Sequence, residues 1–192
     1  MPANPGDADD ARFERRAFLT RGGLVAGGAA LGAALPMSAA GAQVSGVQFT
    51  YFPVGPARVY DSRNPGKGGP LLNGATRPLF TGLQNADPRP IAITVNLTVT
   101  LTRQKGWIAA YPNDEPFSGT SSVNWFGDFQ DLANNAFVAI PDDGVVNFRC
   151  GGLPGAQADF VVDFIGASAP IDYGAAAVAD ALAQYSNPWT EA

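Results

Sequence analysis

The sequence predicts an all-β fold: an antiparallel β-sandwich or jelly roll of about nine strands, with a short C-terminal helix. Three observations predict it. Gly and Pro recur every 8–12 residues or so between Gln43 and Ser168 and separate short runs of high β propensity. The longest of these runs alternates apolar and polar residues. Nothing in the region sustains the 3.6-residue period of an amphipathic helix.

The first expected strands, 47–52 and 57–62, flank a Pro/Gly segment, and a third, 77–81, follows a Gly/Pro loop over 64–76 that carries Lys67. The clearest strand is Ile91–Thr102. Ile91, Ile93, Val95, Leu97, Val99 and Leu101 alternate with Ala92, Thr94, Asn96, Thr98, Thr100 and Thr102. Successive strand side chains point to opposite faces, so the first set should face a core. The second reads as a solvated, threonine-rich face of high β propensity. Contact with a partner sheet or a sugar is the sharper reading of that face.

Strands over 106–111, 120–126 and 135–140 follow, with polar loops at 112–119 and 127–134. Pro141-Asp142-Asp143-Gly144 reads as a hairpin turn into a strand over 144–150. There Cys150 shares the parity of Val146 and Phe148, so it should point inward as a small hydrophobe. In the last strand, 158–165, Phe160, Val162 and Phe164 share one face, and Val161, Asp163 and Ile165 the other. Apolar groups on both faces predict a central, covered strand. Asp163 then needs a basic partner, because an unpaired buried charge is costly. Arg58 and Arg63 are the candidates. Asp172 would cap a helix over Gly174–Tyr185, with Val178, Leu182 and Tyr185 on one face and Asn187-Pro188 as the stop. So short a helix needs a surface to dock on.

Ahead of this domain stands Arg15-Arg16-Ala17-Phe18-Leu19, followed by an uncharged Gly/Ala/Leu run from Gly22 to Ala34. That is the layout of a twin-arginine (Tat) export signal. Ala40-Gly41-Ala42 fits an A-x-A site, with cleavage between Ala42 and Gln43. The run is short of the roughly 20 apolar residues of a bilayer span, which favours a cleaved signal over an anchor. The expected organisation is a signal over 1–42, a β-domain over 43–168 and a helical extension over 169–192. The expected location is periplasmic or extracellular, reached in folded form through the Tat translocase.

Composition narrows the chemistry. The signal balances Arg12, Arg15, Arg16 and Arg21 against Asp7, Asp9, Asp10 and Glu14, so the net charge of −5 belongs to the remainder. An acidic domain without a basic run disfavours nucleic acid and anionic membranes. The chain has no histidine, which removes the commonest general base and zinc ligand. Its single cysteine forms no internal disulfide. No cofactor is expected.

Six elements then occur in order: Pro56-Ala57-Arg58-Val59-Tyr60-Asp61-Ser62-Arg63; Val95-Asn96-Leu97-Thr98-Val99-Thr100; Gly106-Trp107 running to Tyr111-Pro112; Ser121-Ser122-Val123-Asn124-Trp125; Leu132-Ala133-Asn134; and Val161-Val162-Asp163-Phe164-Ile165-Gly166. Together they resemble a family of exported bacterial β-domains with the pattern P-x-R-[LV]-x-D-[ST]-R, V-N-[LV]-T-V-T, S-x-[LIV]-N-[WF], L-A-N and [IV]-x-D-x-x-G. The resemblance covers roughly residues 54–168. It departs at Gly166-Ala167-Ser168, where the family continues Gly-Tyr-Phe. It implies a secreted β-domain found alone, in tandem or attached to exported hydrolases and surface proteins, with no established activity.

Asp61 and Asp163 are the pair of motif carboxylates that a glycosidase would require. The competing reading is a structural ion-pair network of Arg58, Asp61, Arg63 and Asp163, in which the arginines hold both carboxylates ionised. Trp107, Tyr111 and Trp125 are candidate ligand-stacking aromatics, with burial in the core as the blander outcome. The expected function is an exported, non-catalytic surface or structural module that associates with itself. A carbohydrate-binding accessory module that takes a surface glycan is the alternative, and a glycoside-active enzyme comes third.

Overall fold

Two antiparallel sheets share one core in a computed structural model that describes residues 49–170, 177, 180–181 and 187–192. The first sheet runs in the order β1 (Phe49–Asp61), β9 (Gln157–Pro170), β4 (Ala92–Arg103), β7 (Leu132–Ala139), and the short β2 (Leu71–Leu72) also pairs with β9. The second runs β10 (Thr190–Glu191), β3 (Thr76–Phe80), β8 (Val145–Gly152), β5 (Gly106–Pro112), β6 (Val123–Trp125). The all-β expectation holds. The segments expected as 47–52 and 57–62 form one long strand, β1, whose pairing with β9 is irregular between Pro53 and Ala57 and again between Arg58 and Tyr60. The signal, including Arg15, Arg16, Ala42 and Gln43, lies outside the described residues.

The core forms where the inward faces meet. Ile93, Val95, Leu97 and Val99 of β4 and Phe160, Val162 and Phe164 of β9 are fully buried. From the second sheet Ile108, Phe148 and Cys150 close against them. Stacked rings bridge the layers: Phe160 lies 5.1 Å from Tyr60 and 5.2 Å from Phe148, centroid to centroid. Such contacts add to the area that each ring buries.

The alternation of β4 fails at its ends. Ile91 precedes the strand and is exposed, and so is Leu101. The pairing with β9 shifts between Thr100 and Arg103, and Leu101 takes a left-handed φ of 50°. The irregularity turns Leu101 outward and Thr102 inward, as a bulge does. Thr102 is fully buried, and its hydroxyl donates to the Gly127 carbonyl at 2.8 Å and accepts from the Gln130 N–H at 2.8 Å. The threonine face is half-buried rather than solvated, because β4 lies between β9 and β7.

The C-terminal segment closes the second sheet. No α-helix is defined among the described residues. Ala177, Asp180 and Ala181 have helical backbone and Ala181 is buried, whereas Val178, Leu182 and Tyr185 lie outside the described residues. Beyond Pro188 the chain adds a strand that sequence reasoning missed. Trp189 is buried in the core and its N–H donates to the Val59 carbonyl at 2.8 Å. Thr190 and Glu191 then pair with Phe80 and Leu79.

Candidate functional site

Two surfaces concentrate chemistry: the outer face of the first sheet and one end of the sandwich. On the outer face, Arg58 of β1 stands opposite Asp163 of β9. Its Nε donates to Asp163 Oδ1 at 2.9 Å, and its Nη1 lies 3.6 Å from Asp61 Oδ2. Arg63 folds back over Asp61, donating from Nε at 2.8 Å and Nη2 at 2.7 Å, and its own backbone N–H also reaches Oδ1. The structure thus joins Arg58, Asp61, Arg63 and Asp163. Beside them Ser62 donates to Asp159 Oδ1 at 2.8 Å and receives the Phe160 N–H at 2.9 Å.

The Arg63 hydrogen bonds hold the Asp61 carboxyl below the usual carboxylate range, with Arg58 adding to the effect against the opposing cost of burial. Reciprocally, the bonds to Asp163 and Asp61 raise the pKa of Arg58 and Arg63. A carboxylate kept ionised is a poor general acid. Asp61 is buried, but both arginines are about half-exposed. The network is therefore partly solvated on the arginine side, while β9, as expected for a central strand, lies between β1 and β4. Screening makes the network's contribution smaller than that of a buried pair. Among the described residues, no three acidic or cysteine side chains converge as a metal site.

The candidate stacking aromatics separate. Trp125 is fully buried, with its indole N–H directed at the Arg103 carbonyl at 3.4 Å. It is a core residue. Trp107 and Tyr111 lie on the outer face of the second sheet, half-buried, and both contact Phe117 from the loop after β5. Trp107 stacks on Phe117 at 5.3 Å, and the Arg149 guanidinium lies 5.4 Å from the same ring. The Trp107 ring lies so close over Gly151 that any Cβ there would collide with it. Cys150, on the opposite face of β8, is buried, and burial pushes its thiol up to about 12, which leaves no thiolate for chemistry.

At the end of the sandwich where β4 turns into β5, exposed apolar groups gather. Phe126 is 73% exposed, Phe129 70%, Leu101 54% and Leu153 52%. Leu101 sits near the end of β4 beside the β4–β5 connection, Phe126 and Phe129 on the β6–β7 connection, and Leu153 on the β8–β9 connection. Hydrogen bonds fix the connections to one another. The Phe129 N–H donates to the Thr102 carbonyl at 2.7 Å, Gln104 N–H to Asp128 Oδ1 at 2.6 Å, and Leu153 N–H to the Lys105 carbonyl at 2.9 Å. Arg103 stacks over Phe129 at 5.4 Å and Lys105 over Phe126 at 5.5 Å. Leu101, Gln104 and Phe129 are the non-glycine residues with left-handed backbone among those described, and all three are here. Each costs about 1–3 kcal/mol, a strain that clusters at functional sites. A cleft of about 480 Å³ opens beside them, lined by Lys105, Trp107, Asn124, the edge of Trp125, Phe126 and Leu153. That volume lies in the range of ligand sites.

The sequence signal for this end was present but unread. Trp125-Phe126-Gly127-Asp128-Phe129 places two phenylalanines in a turn-rich stretch where a core strand has no need of them. No family model matches this chain, and no curated protein is significantly similar to it.

Proposed function

We propose that this chain is exported by the twin-arginine route and acts outside the cytoplasm as a non-catalytic interaction module. One observation carries the reading: the candidate catalytic carboxylates are clasped by arginines, while apolar surface and backbone strain gather at the Phe126–Phe129 end. The residues behind the family resemblance fit structural duties. Ser62 and Asp163 tie the end of β1 to β9, Asp61 fixes the Arg58 and Arg63 side chains beside them, and the Asn134 amide donates to the Ser122 carbonyl at 2.8 Å.

The test is retention in the cell envelope. With Arg15→Lys and Arg16→Lys together, the precursor should stay in the cytoplasm. With Phe126→Ser and Phe129→Ser together, export should proceed but the protein should pass into the medium. Equal retention of the phenylalanine variant and the wild type would reject the reading.

A second reading, carbohydrate binding, is favoured by the cleft itself, where Trp107, Phe126 and Leu153 line an apolar wall and Asn124 and Lys105 offer donors. Loss of glycan-array binding in Trp107→Ala at unchanged melting temperature would support it. An array blank for the wild type would reject it.

A further inference from the structure

We infer that the Phe126–Phe129 end pairs with the same end of a second copy of this chain, in a weak two-fold dimer. The inference rests on the interaction-module reading above and names its partner.

The segments that carry the four exposed side chains of this end are tied to one another. Leu153 joins Lys105 through a backbone hydrogen bond, Lys105 covers the Phe126 ring, Phe129 is tied to Thr102, and Leu101 precedes it. The four side chains expose roughly 400 Å² of apolar surface, a size at which patches on monomers are often functional. Two such patches face to face bury roughly 800 Å², and the polar rim carries the total towards the lower bound of specific interfaces, about 1,200 Å². That area suits a reversible pair of copies.

The rim chooses the partner. It holds Arg103 and Lys105 against Asp128 and Asp131, two charges of each sign. Neither cation makes an ion pair among the described residues. Asp128 accepts the Gln104 N–H, and Asp131 accepts the Thr100 hydroxyl and attracts Arg63, whose guanidinium is already held by Asp61. A strongly acidic or strongly basic partner meets repulsion from half of this rim. A second copy related by a two-fold axis brings carboxylates to cations and cations to carboxylates, around an apolar centre. The strained, cross-tied loops hold the rings in place before contact, which lowers the ordering cost of association.

Sedimentation velocity of the full chain across a concentration series tests this. The wild type should pass from monomer to dimer with a dissociation constant of about 1–100 µM. Phe126→Ser with Phe129→Ser should remain monomeric, and Lys105→Glu should weaken pairing at least fivefold. Amide exchange of the wild type needs no variant: protection should rise with concentration at 101–105, 126–131 and 153. A wild type that stays monomeric at several hundred micromolar overturns the pairing, as does a dimer protected elsewhere. Either result leaves the envelope-retention test to decide the broader reading.

Discussion

The Tyr60 hydroxyl lies 2.9 Å from Glu191 Oε1, joining the end of β1 to the chain's penultimate residue. The same hydroxyl lies 2.6 Å from the Lys67 carbonyl and receives Arg77 Nη1 at 3.1 Å. Arg77 also donates to the Gly69 carbonyl at 2.8 Å and sits 3.8 Å from Glu191. One buried ring thereby ties β1, the 64–70 loop, β3 and β10 into a single clasp.

Trp189 is the apolar anchor of that clasp. Trp189→Ala should lower stability by about 3–5 kcal/mol, the usual cost of emptying a buried aromatic site. Urea denaturation measures it. A loss below about 1 kcal/mol would mean that the C-terminal strand merely rests on the sheet.

Burial, with the Glu191 contact adding to it, raises the Tyr60 hydroxyl to about 12 from its ordinary value of 10.0. The neutral phenol is the form that the fold favours. Its contribution is complete below pH 10 and is lost as pH rises towards 12. Tyr60→Phe should therefore be less stable than wild type at pH 8, and the gap should narrow between pH 10 and 12. A gap unchanged across that window would contradict the assignment.

Asp61 carries the opposite sign. Its folded pKa is depressed by Arg63, so its contribution is present above the unfolded value near 4 and lost as pH falls through the lower folded value. Asp61→Asn should cost about 1–2 kcal/mol at pH 7, a figure reduced because Arg63 is half-exposed. The difference from wild type should shrink as pH falls below the unfolded value and be lost once the folded carboxyl is protonated. A difference that persists at low pH would mean that Asp61 acts through packing.

Strand positions were legible because inward apolar residues recur at a period of two and turns are marked by Gly and Pro. Ile93 to Val99 and Phe160 to Phe164 follow that rule without exception. It fails at Leu101, where a left-handed residue reverses the faces, and no local pattern announces such a bulge. Trp189 and Glu191 follow the expected helix stop at Asn187-Pro188, and the two residues of strand there are too few to show a period. The ion-pair partners were visible in the motif spacing, since Arg58 and Asp163 carry the wrong polarity for a covered sheet. Phe126 falls at the end of an expected strand and Phe129 in an expected polar loop, and neither position carries a periodic signal that marks an exposed apolar residue. Arg77 has no sequence signature at all: its role depends on carbonyls that only the folded 64–70 loop aligns.

The central claim is that this protein acts through the Phe126–Phe129 end, and photocrosslinking in living cells tests it most directly. A benzophenone side chain is placed at position 129 in one strain and at position 142, on the exposed β7–β8 turn at the opposite end, in another. Irradiation should give a discrete product from position 129, at twice the chain's mass if the partner is a second copy, and none from position 142. Products from position 142 alone, or from neither position, would contradict the account.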